Sequence, residues 1–402
     1  LRARFERWRP VVLPAVVLWL LAAVTSVGYL HPFDVTEYQR YAHAALRAPL
    51  LHRLPLEYPA PALVVFLLPL LLPIGYAWAF AVLTGVVLLV LVTSYERSGV
   101  AGWDGHSARR LVVYLTLGSV MVLAGRYDLF AATAAFLSVR GARRGRWAAA
   151  WTWSSVGVAL KLFPVALWPV FLVAEWRRTG SLPVRRLWWM AASVVAVAVA
   201  PGLVDRGAAL NALHYYLHRP AEIGSLPAGL SVLFDWHGAT WVDTFHSVNV
   251  VSGITGGLSV AVEATAAAGC LWTWWAQARG RLSLEAACLA TLTAVVLGSK
   301  VLSVQYLMWL MPLWALYRFR VPWLLAAAAN LVIFPYAASA QGLGYLPGHA
   351  FAVSLTLTLL ARDVLIAVGT GAWLRSELAR APDGRGRRGR LGGPGAREPA
   401  TG

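Results

Sequence analysis

Cysteine is almost absent. Cys270 and Cys288 are the only two in the chain, both within or beside apolar stretches, and this excludes a disulfide framework and a thiolate zinc site. Acidic residues are scarce as well, 18 Asp and Glu against 35 Lys and Arg, for a net charge of +17. Charged residues of both signs make up 13% of the 402 residues, too few to cover a soluble protein. The chain has no Walker A loop, no nucleotide-binding glycine fingerprint after a strand and no Gly-x-Ser-x-Gly elbow, so ATP-driven transport and serine hydrolysis lose support. The basic excess does not point to nucleic acid, because it gathers in short loops and in the tail Gly384-Arg385-Gly386-Arg387-Arg388-Gly389-Arg390.

What is present is hydrophobic: 59% of residues, 20 of them Trp, with apolar runs of membrane-spanning length from one end to the other. Only helices and closed barrels satisfy the backbone in lipid, and continuous rather than alternating runs select helices. The expected fold class is all-α, a polytopic membrane protein with about 12 transmembrane helices, counts of about 11 to 13 being open. The first span, 10–29, follows Arg2, Arg4, Arg7 and Arg9 and ends without a small-residue cleavage site, so it reads as uncleaved. By the positive-inside rule both termini lie on the cytoplasmic side of the plasma (inner) membrane. Residues 1–9 read as a basic cytoplasmic terminus, 10–376 as the transmembrane domain, and 377–402 as a disordered basic cytoplasmic tail against anionic lipid headgroups.

From Val35 to Leu54, apolar residues recur at helical spacing opposite Thr36, Glu37, Gln39, Arg40, His43 and Arg47, which predicts an amphipathic helix on the outer interface. The apolar stretch that follows is broken by Pro69, Pro73 and Gly75. Reading 61–72 as a re-entrant or juxtamembrane hairpin, with only 74–94 crossing, keeps the loops around Arg109, Arg110, Arg143, Arg144 and Arg146 on one side. Further spans are expected at 111–124, 129–139, 147–160, 164–175, 187–203, 250–276, 284–297, 306–317, 321–336 and 351–374. Outer loops 31–73 and 205–249 then form one face.

That face gathers the ionisable residues. Arg126, Lys161, Arg219 and Lys300 are cations on the side where few are expected, and a phosphate is their natural ligand. His31, Glu57, Tyr58, Asp128, His214, His218, Glu222, Ser225 and Gln305 supply the donors, acceptors and rings that suit a sugar. His214 and His218 lack a nearby Cys or second acidic ligand, so no metal is expected. Asp34 has two readings. It is placed to take a proton at the lipid surface, and Asp34-Val35-Thr36-Glu37 also fits a capping box that starts the interfacial helix.

A first span ending in a short Asp-bearing segment, then an interfacial helix and Glu57-Tyr58-Pro59-Ala60-Pro61, resembles the GT-C superfamily of membrane glycosyltransferases. Within it the chain is most similar to the glycosyltransferase family 87 type, including actinobacterial polyprenyl-phosphate-mannose-dependent mannosyltransferases. Gly125-Arg126-Tyr127-Asp128-Leu129, Ala159-Leu160-Lys161-Leu162-Phe163-Pro164, His218-Arg219-Pro220 through Ser225, and Ser299 through Tyr306 extend the resemblance from about residue 10 to about residue 320. The chain departs from the pattern at Arg126-Tyr127-Asp128, where the family often has Gln, a hydrophobic residue and Asn, and at Val304, where proline is common. The resemblance implies a cell-envelope enzyme without cofactor. It would move a sugar, with mannose implied, from a polyprenyl-phosphate donor to a glycolipid or glycan acceptor with inversion, Asp34 acting as general base. A polyprenyl-linked lipid flippase is the alternative; it is disfavoured because the charges cluster at the outer ends rather than in span centres and no internal repeat is seen, while Glu263 and the Pro-broken segment are the exceptions that keep it open.

Overall fold

The structure is a computed structural model that describes residues 2–30, 33–47, 54–55, 57–96, 103, 105–204, 214–342 and 348–380. It is mostly helical. Four helices are long and apolar enough to cross a membrane, at Arg9–Gly28, Tyr76–Tyr95, Val184–Val204 and His349–Arg380. Shorter apolar helices cover Ala60–Leu71, Leu284–Gly298 and Val321–Ile333.

Helix α1 (Arg2–Ala23) continues as a π-helical stretch to Leu30, and α2 (Phe33–Leu46) follows. α2 ends at Leu46, and residues 48–53 of the expected 35–54 lie outside the described residues. The amphipathic stripe is real: Val35, Tyr38, Ala42 and Ala45 are buried, whereas Thr36, Arg40, His43 and Arg47 are exposed. The apolar side packs on protein, with the Tyr38 ring stacked on Phe66 at 4.4 Å.

Residues 60–71 form a broken helix whose only α-helical part is α3 (Leu63–Leu67). The Tyr58 ring meets Phe66 on the way in, and the Tyr76 hydroxyl donates to the Phe66 carbonyl at 2.7 Å on the way out. Phe66, in the middle of the segment, is thus held from both flanks, by Tyr58 before it and Tyr76 after it. α4 (Tyr76–Glu96) and α5 (Gly105–Ser119) follow.

α6 (Asp128–Arg143) and α7 (Trp147–Leu160) make a tight antiparallel hairpin, where a side chain on Gly141 would lie 2.9 Å from the Ala150 nitrogen. α8 (Trp168–Thr179), α9 (Leu187–Val194) and α10 (Ala200–Val204) come next, the last two joined by a π-helical stretch. After a single helical turn at 214–218, here α11, the chain forms β1 (Ala221–Glu222), α12 (Leu226–Phe234), β2 (Thr240–Thr244) and β3 (Ser247–Val251). The strands pair antiparallel in the order β1-β3-β2. This small sheet is an addition that the expected fold did not include, within a chain that is mostly helical as expected. The expected span from 250 also starts later, at α13 (Thr255–Ala278), because Val248, Val250 and Val251 are β-branched and pair with β2. α14 (Leu284–Gly298), α15 (Leu307–Trp314), α16 (Val321–Gly342) and α17 (His349–Arg380) complete the bundle.

Arginines mark one end. Arg143 pairs with Glu285 at 2.8 Å, Arg186 with Glu175 at 2.8 Å, and Arg177 donates to the Gln277 carbonyl at 2.8 Å. Arg110 reaches the Ala315 carbonyl at 2.8 Å and Arg320 the Ser376 hydroxyl at 2.8 Å. These contacts bring the turns after α6, α8, α13 and α15 together. The opposite ends of the same helices carry the candidate site.

Candidate functional site

The site begins at α6. Asp128 is its first residue, where a carboxylate is favoured by the helix dipole, and Lys161 follows the last residue of α7. The antiparallel hairpin brings the two together, with Lys161 Nζ 2.7 Å from Asp128 Oδ1. The Trp309 indole donates to the same oxygen at 2.9 Å. Lys161 also lies over the rings of Tyr306, Trp309 and Tyr127, 4.8, 5.1 and 5.2 Å from their centroids. A lysine at the edge of an apolar bundle is thereby fully partnered.

Asp34, in the first turn of α2, is ion-paired with Arg126 from the loop before α6. Both keep some access to solvent, their side chains being 15% and 19% exposed. Burial raises the Asp34 carboxyl above its ordinary value, against the pull of the Arg126 guanidinium. Glu37 is taken by Arg40, so the reciprocal reach of a capping box is not made. The rings of Tyr38, Tyr58 and Tyr127 line this part edge to face, Tyr58 and Tyr127 at 5.1 Å and Tyr38 and Tyr127 at 5.7 Å. Burial pushes their hydroxyls well above the ordinary tyrosine value, which keeps them protonated donors.

A second group adjoins the first. Glu57 accepts from the Tyr215 hydroxyl at 3.1 Å and lies 4.0 Å from His246 Nε2. Burial raises its carboxyl, His246 and Tyr215 lower it, and the charges of Asp34 and Arg219 reach it from either side. Arg219 donates to Ser247 and to Asn249, and sits 3.9 Å from Glu222. Glu222 accepts from the Ser303 hydroxyl, while its backbone nitrogen donates to the Lys300 carbonyl at 2.8 Å. Lys300 Nζ donates to the Leu217 carbonyl at 3.0 Å and lies over the Tyr216 ring. Glu57 is followed by Tyr58, whose ring meets those of Tyr38 and Tyr127 at 5.8 and 5.1 Å, so the two groups adjoin.

Set against expectation, the structure brings Asp34, Glu57, Tyr58, Arg126, Asp128, Lys161, Arg219, Glu222 and Lys300 to one end of the bundle. Each of the four cations has a partner. Gln305 is buried there with its Oε1 lacking a hydrogen bond, as is Glu222 Oε2. Ser225 is a helix cap: its hydroxyl accepts from the Ala228 nitrogen and donates to the Glu222 carbonyl, which corrects its reading as a sugar contact. His214 and His218 are exposed, with ring centroids 3.9 Å apart, and His218 Nδ1 is 2.9 Å from the His214 carbonyl oxygen. Among the described residues no group of three or more His, Cys, Asp or Glu is placed to hold a metal. His31 lies outside the described residues.

Sequence reasoning missed two features. The first is a fully buried network on α17: Arg362 donates to Asp363 at 2.9 Å, to the Asn330 side chain at 3.1 Å and to the Gly224 carbonyl at 2.8 Å. Asn330 in turn donates to the carbonyls of Val304 and Gly118, at 2.8 and 3.1 Å. Two adjacent charges within the apolar run 351–374 were the signal, and they correct the view that charges avoid span centres. The second is the β2–β3 turn. Thr244 pairs with Ser247, leaving a two-residue loop of Phe245 and His246 with φ of 56° and 54°. These are the only non-glycine residues with positive φ among those described, and each costs roughly 1–2 kcal/mol of backbone strain.

Fold and site together define a mostly helical protein with four helices of membrane-crossing length and a balanced cluster of carboxylates, cations and tyrosines at one end of the bundle. No protein-family model matches this chain, and no curated protein matches it.

Proposed function

We propose that the protein is a multi-pass plasma-membrane glycosyltransferase. It moves a sugar, mannose by the resemblance of its motifs, from a polyprenyl phosphate to a hydroxyl of a glycolipid or glycan on the extracytoplasmic face. In this reading α1, α4 to α8, the helix through α9 and α10, and α13 to α17 each cross the membrane, twelve traverses with both termini and the arginine end in the cytoplasm and the cluster outside. The observation that carries the reading is the Asp34–Arg126 pair, a carboxylate that is raised by burial yet still reached by solvent.

In this reading Asp34 takes the proton of the acceptor hydroxyl as that oxygen attacks C1 of the sugar, and the bond from C1 to the phosphate oxygen breaks on the opposite face. Arg126 orients the carboxylate. Arg219 and Lys300 meet the charge that grows on the departing phosphate. Glu222 Oε2 and Gln305 Oε1 are acceptors without a hydrogen bond, a type of atom suited to sugar hydroxyls. Phosphate is a good leaving group, so the scheme needs no general acid.

The test is transfer of radiolabelled mannose from polyprenyl-phosphate-mannose to lipid acceptors in membranes holding matched amounts of the protein or its Asp34→Asn variant. The expected loss is about 100- to 10,000-fold, the range for a general base. Equal transfer by both would remove Asp34 from the chemistry. The buried Arg362–Asp363 pair favours a second reading, a polyprenyl-lipid transporter. Lipid movement across vesicles without any transfer would establish it.

A further inference from the structure

The strained turn calls for an explanation. A two-residue hairpin loop with both residues at positive φ forms without steric cost from Asn-Gly or Gly-Gly, and here it is built from a phenylalanine and a histidine. The surroundings hold it in that form from three sides. The Tyr215 hydroxyl donates to the Phe245 carbonyl at 2.6 Å, and its ring meets the Phe245 ring edge-on at 5.0 Å. Asn249, fully buried, donates to the Thr244 carbonyl at 2.7 Å, the Thr244 hydroxyl at 3.1 Å and the Ser247 carbonyl at 3.0 Å, so it fixes both ends of the loop. Ser247 in turn donates to Asn249 and accepts from Arg219.

What this arrangement gains is the position of two side chains. It sets a half-buried phenylalanine ring and a histidine, 55% exposed, beside Glu57, whose Oε1 already takes the Tyr215 hydroxyl. An aromatic ring, a carboxylate, an imidazole and a phenol then lie side by side, with Glu57 joined to Tyr215 at 3.1 Å, His246 at 4.0 Å from Glu57 and the Phe245 ring at 5.0 Å from that of Tyr215. Tyr215 carries the Glu57 carboxylate on its hydroxyl and the Arg219 guanidinium over its ring at 5.9 Å, so opposite charges are both present and charge alone favours neither an anion nor a cation. A neutral ring with hydroxyls on its rim and C–H bonds on its face fits both the aromatic and the polar walls.

We propose that Phe245 and His246, with Glu57 and Tyr215, form a binding subsite for a neutral sugar ring, pre-organised by the strained turn. That this ring is the acceptor of transfer rests on the glycosyltransferase reading; that it binds does not. The closing experiment therefore uses binding alone, with no donor present.

Methyl α-D-mannopyranoside is titrated into the full chain in lipid nanodiscs and followed by saturation-transfer NMR, with protein-free nanodiscs as the blank. The double variant Phe245→Gly/His246→Gly keeps the turn and removes both side chains. It is expected to weaken binding by about tenfold or more, as for loss of an aromatic anchor, with a melting temperature equal to or above that of the parent. If the double variant melts lower, His246→Asn decides, because asparagine tolerates positive φ: a loss of about threefold or more supports the subsite. Absence of saturable binding by the parent overturns the proposal, as does binding within about twofold in the deciding variant. Binding that is present and turn-dependent in a protein without transfer activity would leave the subsite standing and remove the enzyme reading.

Discussion

The Asp34 carboxylate balances two opposed influences, burial raising its proton affinity and Arg126 lowering it. Arg126→Gln removes the one attraction that stabilises the ionised form in direct contact, so the carboxyl titrates higher still. If Asp34 must be ionised to act, the acid limb of the pH–rate profile moves upward in the variant, and a limb that stays put or moves down would separate the two residues. The sequence singled out both residues and expected them on one face of the protein. It did not show that they pair, because Asp34 and Arg126 are joined only by the way α2 docks on the loop before α6. The same applies to Lys161, whose expected cost near hydrocarbon is met by Asp128 and three rings that no local pattern identifies. Ser225 is the reverse case. Ser225-Leu226-Pro227 ahead of an apolar run is a helix-start signal, and the interest of the nearby histidines and arginine obscured it.

At the scale of elements, α13 and α14 approach closely where a side chain on Gly298 would meet the Ala266 methyl at 2.2 Å, a contact between two helix faces with nothing flexible to yield. Gly298→Leu should therefore destabilise by about 1–3 kcal/mol, seen as a lowered melting temperature, and Ala266→Gly in the same chain should return part of the loss. Since Gly298 ends α14 immediately before Ser299 and Lys300, the displaced helix would also move the segment that bonds Glu222. Helix boundaries were legible where a break was chemical: Trp147–Leu160 was expected as observed, and α14 differs by one residue. The β-sheet was not legible. Its strands are two to five residues long, and Val250-Val251 read as the start of an apolar span until their partners in β2 are known.

At the scale of the whole molecule, the arginines of the turns after α6, α8, α13 and α15 lie at one end and the acidic–basic cluster at the other. If a bilayer separates the two ends, a membrane-impermeant maleimide should label Asp243→Cys in intact cells and Arg281→Cys only after lysis. The native thiols should give little background, since Cys288 is fully buried and Cys270 is 7% exposed. Labelling of both positions from outside would contradict the topology. This segregation was the most legible property of the chain, because the positive-inside rule acts on loop composition and needs no tertiary contact. Its exception, the Arg362–Asp363 pair, is also what closes the structure. Arg362 grips the Gly224 carbonyl and the Asn330 side chain that holds Val304, so the last described helix to be synthesised carries the anchor for segments made far earlier. Those carbonyls wait for their partner throughout translation. A chain that stops before α17 would carry every residue of the cluster and lack the pin that sets Gly224 and Asn330, so an early stop there leaves most of the helices present and the cluster without its anchor.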